Sequence, residues 1–115
     1  MPLIRSGSEA WEAINELILR YHVHGSNITI AKFILRRGSQ VREHSHVHEQ
    51  VSIVLSGRLR FRVGGEEYMV GPGDIVHIPP NTPHSVHALE DSVVIDVYSP
   101  VRDDWIRGED KYLRS

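Results

Sequence analysis

Apolar residues recur along most of this chain at every second position. Val51, Ile53 and Leu55 alternate with Ser52 and Ser56, and Leu59, Phe61 and Val63 alternate with Arg58, Arg60 and Arg62. A period of two belongs to a strand with one apolar face. Gly57 breaks the run, and Gly64-Gly65 predicts a hairpin because both residues tolerate positive φ. Glu66 to Val70 returns. Gly71-Pro72-Gly73-Asp74 then fits a type II turn, with Pro second and Gly third. Ile75 to Ile78 reads as a short strand, and Pro79-Pro80-Asn81-Thr82-Pro83 must be a loop. His84 to Leu89 and Val93 to Tyr98 are further strands, divided by Glu90-Asp91-Ser92.

Upstream, Glu16 to His24 and Ile28 to Leu35 read as strands around a turn at Gly25-Ser26-Asn27. In the second of them the apolar members are Ile28, Ile30, Phe33 and Leu35, and Arg36-Arg37-Gly38-Ser39 turns the chain again. Ser8 to Ile14 predicts a short helix N-capped by Ser8. Trp105, Ile106, Tyr112 and Leu113, in the tail, are expected on the outside of the fold or on a partner. Eight or more short strands and little helix predict an all-β sandwich or barrel. The even strand lengths favour the closed form, which removes sheet edges.

With 115 residues and no composition break, residues 1–115 are expected to form one domain. Net charge is -2, so no broad basic field is present and no nucleic-acid partner is expected. The stripe of Arg58, Arg60 and Arg62 reads as a solvated face or part of a dimer interface. The longest apolar run, near Leu17 to Leu19, is too short to span a bilayer, and the first residues lack a signal-peptide pattern. A cytoplasmic protein without membrane contact is the expectation. The absence of cysteine excludes disulfides, thiolate catalysis and zinc–thiolate sites.

The compositional oddity is eight histidines, five of them in His44-Ser45-His46-Val47-His48 and His84-Ser85-Val86-His87. Residues two apart on a strand share a face, so His44 and His46 present two imidazoles together. A divalent metal takes neutral nitrogen and oxygen donors at about 2.0–2.2 Å. Gln50 offers an amide oxygen, and His84 follows the Pro-rich loop on a later strand. His48 is read as pocket wall, His77 and His87 as packed or exposed strand residues. His22 and His24 form a pair with no third donor.

These spacings resemble those of the cupins. The family's first motif, Gly, five residues, His-x-His, three or four residues, an acid, six residues, Gly, reads here from Gly38 through His44, His46 and Gln50 to Gly57. The second motif reads from Gly73 through Pro79-Pro80-Asn81 and His84 to Ala88. Residues 38–88 are thus the expected metal-binding core. Gln50 stands where most of the family has Glu, Asn81 replaces a Gly, and Ala88 replaces an Asn. A neutral amide beside three neutral histidines leaves the ion its full charge, which favours an anionic ligand and a stronger Lewis acid.

His44 to Gln50, with the run Asp96 to Arg102, is similar to the small KdgF-like, uronate-linearising cupins of pectin and alginate breakdown. The resemblance implies a jelly-roll-like barrel and one divalent transition metal (Mn, Fe, Ni, Co or Zn) on His44, His46, Gln50 and His84. It implies that Asp96, Tyr98 and Arg102 act on a small anionic sugar acid, opening a 4,5-unsaturated uronate ring. On chemistry alone Asp96 could move a proton and Arg102 could clamp a carboxylate, but the two also read as a structural ion pair. Small single-domain cupins pair through their outer sheets, which implies a homodimer. A metal-dependent dioxygenase or lyase, or a non-catalytic small-molecule-binding cupin, are the other readings.

Overall fold

The computed structural model describes residues 3–8 and 10–114. Among these, the period-two segments form ten strands: β1 (Glu12–Asn15), β2 (Ile18–His24), β3 (Thr29–Leu35), β4 (Gln40–His44), β5 (Glu49–Ser56), β6 (Leu59–Val63), β7 (Glu66–Val70), β8 (Ile75–Ile78), β9 (His84–Ala88) and β10 (Ser92–Ser99). Two one-turn helices follow, α1 (Asp103–Ile106) and α2 (Lys111–Arg114). No helix is long and apolar enough to cross a membrane.

The strands make two antiparallel sheets, β1-β2-β3-β10-β5-β8 and β4-β9-β6-β7. Ile18, Phe33, Val54, Leu59, Phe61 and Ile78 belong to the core they enclose, each 6 % exposed or less. The expected barrel is therefore the double-sheet, jelly-roll kind. It keeps sheet edges, and α2 packs against two of them, β4 and β1, one from each sheet.

Three local expectations change. The predicted helix at 8–14 is replaced by β1, which pairs with β2 and buries Ile14; Glu9, inside that segment, lies outside the described residues. Asn15 closes the hairpin by accepting a hydrogen bond from Leu17 N–H on its side-chain oxygen (2.8 Å). Pairing with β2 outweighs a weak local helix preference. Second, β5 faces the other way from its apolar pattern. Gln50, Ser52 and Val54 point inward, whereas Val51 and Ile53 are half-buried and Leu55 is exposed. Third, the tail is not peripheral. Trp105 and Leu113 are 5 % and 4 % exposed and belong to the core, while Ile106 stays outside.

The turn residues behave as their chemistry requires. Gly64 and Gly65 both have positive φ at the β6–β7 hairpin, and Gly73 has φ 88° in the turn closed by Asp74 N–H to Gly71 C=O. Gly57 has φ 89° and packs so closely that a side chain there would collide with Ser92 and the Asp91 carbonyl.

Candidate metal centre

Three histidines converge from two motif segments. His44 ends β4 and lies directly opposite His84, the first residue of β9. The cross-strand pair brings their rings to 4.3 Å between centroids. His46 sits beyond the strand, in the β4–β5 loop, so the expected two-apart pair on one strand face does not exist. Its ring instead reaches the site because the loop is tied down: Asn81 N–H donates to the His46 carbonyl at 2.7 Å. Asn81 makes that bond from a left-handed conformation (φ 61°), the conformation that the usual glycine would supply. One ligand atom of each of His44, His46 and His84 lies within 4.8 Å of the others.

Gln50 and Ser52 on β5 pair across the sheet with Tyr98 and Asp96 on β10. All four point inward and all are nearly or fully buried. They form a chain of hydrogen bonds. Tyr98 O–H donates to Asp96 Oδ2 (3.0 Å), Ser52 O–H donates to Asp96 Oδ1 (2.6 Å), and the Gln50 amide N–H donates to Ser52 Oγ (2.9 Å). Gln50 Oε1 is left facing His46 Nε2 at 3.0 Å.

The electrostatics favour uncharged imidazoles. Burial, reinforced by the charges of His84 and Arg102, pushes His44 and His46 down to about 4, and burial also lowers His84. Each ring sets its Nδ1 against a backbone carbonyl: His44 against Arg42 (2.8 Å), His46 against His48 (3.0 Å) and His84 against Thr82 (2.8 Å). For His44 and His84 this fixes the tautomer and leaves a bare lone pair on Nε2, the arrangement metal-binding histidines use, whereas His46 faces an oxygen at both ring nitrogens and, neutral, donates to only one of them. His84 Nε2 is buried with no hydrogen-bond partner. In the Nδ1-protonated tautomer that metal binding requires, His46 Nε2 turns a lone pair toward Gln50 Oε1. A divalent cation would satisfy these atoms together, so the residues present fit such a group.

Asp96 lies beside this cluster. Burial raises its carboxyl to about 6, against the pull of Ser52, Tyr98 and Arg102. Arg102 is 1 % exposed and pairs with Asp104 rather than Asp96 (Nη2 to Oδ2 2.8 Å, Nε to Oδ1 3.0 Å). Its Nη2 also donates to Tyr112 Oη (2.8 Å), and the guanidinium covers the rings of Tyr98 and Trp105. The two-pronged carboxylate clamp is therefore taken up by Asp104; only Nη1 is buried without a partner.

A cavity of about 40 Å³ adjoins the cluster, lined in part by His44, Gln50, His84, Asp96, Tyr98 and Tyr112. Tyr112, from α2, stacks at 4.4 Å on His44. Neither Tyr112 nor Ser52 stood out in the sequence. Ser52 has the same parity as Gln50, which was its one signal; Tyr112 had none. His48 is buried with Nε2 3.9 Å from Asp104, consistent with a wall position. His77 is an exposed partner of Glu49 at 2.6 Å, and His87 bonds Arg60.

Comparison with known proteins agrees with this geometry. The Cupin domain family matches residues 31–98. An uncharacterised protein of Streptomyces coelicolor is 30% identical over 93 residues, 80% of this chain and 89% of that one. The pectin degradation protein KdgF of Dickeya dadantii is 29% identical over 99 residues, covering 84% and 90%. The structure of KdgF from a Halomonas species superposes with a TM-score of 0.83 at 32% identity, covering 88% of this chain and 94% of that one. With more than half of its length matched, and with both motif segments meeting at one histidine cluster, this chain belongs to the cupin family.

Proposed function

We propose that the chain is a metal-dependent enzyme that opens the ring of a small anionic sugar acid of the 4,5-unsaturated uronate kind. The ligands are His44, His46, His84 and the amide oxygen of Gln50. The observation that carries the reading is a buried carboxyl, Asp96, held one hydrogen-bonded residue away from Gln50 in the same cavity. The likeness to KdgF proteins supports the substrate class.

Ring opening of such a cyclic hemiacetal is an isomerisation. The anomeric hydroxyl loses a proton, its electrons form the carbonyl as the bond from the anomeric carbon to the ring oxygen breaks, and the resulting enolate gains a proton at C4 to give the ketone. Atoms and electrons balance without a co-reactant. Asp96, with its carboxyl near neutrality, is suited to take the first proton and return one. Tyr98 orients Asp96 through its hydroxyl. Arg102 supplies positive charge that reaches all three histidines and Asp96, and offers the free N–H groups of Nη1 to a carboxylate. A divalent cation, when bound, supplies Lewis acidity toward the sugar oxygens.

The same proposal makes the working form a cytoplasmic homodimer without a nucleic-acid partner. Its support is the outer face of the six-stranded sheet. Tyr21, Lys32, Ile95, Ile53 and Ile75 form one row across it, and Val23, Ile30, Val97 and Val51 the next. Apart from Lys32 the two rows are apolar, and Ile30 (43 %) and Ile75 (64 %) are exposed, the kind of patch that a second copy would cover.

The test is the loss of double-bond absorbance when metal-loaded protein meets a 4,5-unsaturated uronate. Accelerated loss that disappears with a chelator and in Asp96→Asn is expected. An unchanged absorbance with metal bound would discard the uronate reaction and keep the metal site.

A further inference from the structure

An amide ligand has two unlike ends. Glutamate offers an oxygen either way round, but glutamine rotated by half a turn offers an NH₂ that cannot bind a cation. Something must therefore hold the Gln50 amide oxygen toward the histidines. The hydrogen-bond order around it names the residue. Ser52 is 0 % exposed, and its single hydroxyl proton goes to Asp96 Oδ1 at 2.6 Å. Ser52 Oγ can then only accept from its other neighbour, and it accepts from Gln50 Nε2 at 2.9 Å. The amide nitrogen is thereby held at the Asp96 side and the oxygen at the His46 side, where it meets Nε2 at 3.0 Å. In the tautomer that frees Nε2 for a metal, a rotated amide would donate N–H to that ring nitrogen, and the bond to Ser52 opposes the rotation.

We propose that Ser52 is a positioning residue: it converts the carboxylate of Asp96 into a fixed orientation of the Gln50 amide, and so makes a neutral side chain usable as a metal ligand. The inference rests on the reading of Gln50 as the fourth ligand and adds the device that enables it. Ser52 touches neither metal nor substrate; it acts through Gln50.

The experiment is a double-mutant cycle read by metal affinity, with zinc ions competed against a chromophoric chelator and no substrate present. Ser52→Ala is expected to weaken zinc binding about tenfold or more, the scale of outer-shell losses at metal sites. Ser52→Thr, which keeps the hydroxyl, is expected to restore it. The deciding arm uses Gln50→Glu. A carboxylate needs no orienting, so Ser52→Ala in that background is expected to change affinity less than threefold. Equal losses in the Gln and Glu backgrounds, or no loss from Ser52→Ala, would overturn the proposal. Gln50→Ala separates this from the reading beneath it: zinc affinity unchanged in that variant removes Gln50 from the ligand set altogether. Circular dichroism of each apoprotein guards the comparison; should Ser52→Ala unfold, Ser52→Cys, of similar size and feeble as an acceptor, takes its place in both backgrounds.

Discussion

His84 shows how one side chain can be settled from both ends. Its Nδ1 is bound to the Thr82 carbonyl and its Nε2 is buried without a partner. His84→Ala should therefore abolish tight zinc binding; because it also removes the Nδ1 bond to Thr82 and a ring that is 2 % exposed, the apoprotein should melt at a lower Tm, and equilibrium dialysis and a melting curve check the two halves. Gly57 sits at the opposite extreme, where bulk is the only issue. Gly57→Ala combines a positive φ with a collision against Ser92 and Asp91. It should cost about 2 kcal/mol or more, visible as a lowered Tm. The motif spacings were legible at this scale because they count residues: His44, His46, Gln50, His84 and Gly57 were all named from intervals. The strand placement of His46 was not, because its position depends on Asn81 reaching over from another loop. The spare donor of Arg102 was equally hidden, since nothing in the sequence pairs that residue with Asp104.

Among the elements, β5 and the tail depart most from expectation, and for one physical reason. Period-two patterning reports which face is apolar, and hydrophobic burial normally decides which face turns inward. In β5 the interior carries a polar site, so Gln50 and Ser52 are buried and the apolar members Val51, Ile53 and Leu55 form the outer face. The tail is held by an ion cluster that no local pattern reveals. Arg20, 2 % exposed, bonds Glu12 and Asp110, and Arg114 bonds Asp110 and Glu12. Burial works to raise both carboxyls, but the arginines outweigh it and hold Glu12 and Asp110 below the usual range. A depressed carboxylate contributes stability above the ordinary value near 4, and that contribution is lost as pH falls through the folded value. The tail should thus stay docked from neutrality to about pH 5 and loosen below about pH 4, reported by the fluorescence of Trp105. Arg20→Ala should loosen it at neutral pH, at a cost of about 1–3 kcal/mol for the lost bonds to Glu12 and Asp110, which keep Arg114 alone. The tail also limits access. Small-molecule sites commonly run from about 300 Å³ upward, and the cavity here is about 40 Å³. Tyr112→Ala should lower KM for the uronate more than it alters kcat, because less of the binding energy is spent displacing α2.

For the molecule as a whole, all-β architecture followed directly from the alternation and the turn residues, and the outer sheet face is where the proposed dimer would form. Ile53 and Ile95 are direct cross-strand neighbours at its centre. Ile53→Asp should shift the sedimentation of the protein from two chains to one while sparing zinc affinity, because that side chain points away from the cavity. A parent that sediments as one chain would remove the homodimer from the proposal.

The strand order carries a consequence for how the chain is made. β10 is the last strand to leave the ribosome, yet it lies in the middle of the larger sheet, between β3 and β5. Until residue 99 has emerged, β3 and β5 have no common neighbour, and each presents an unpaired apolar edge, with Ile30, Phe33 and Ile34 on β3 and Val51, Ile53 and Val54 on β5. Such long-range pairing is slow to form, and unpaired edges recruit other chains. Nascent chains that stop short of β10 should aggregate rather than persist as partial barrels, and a ribosome stalled after residue 90 should hold a protease-sensitive chain although it has joined 90 of these 115 residues.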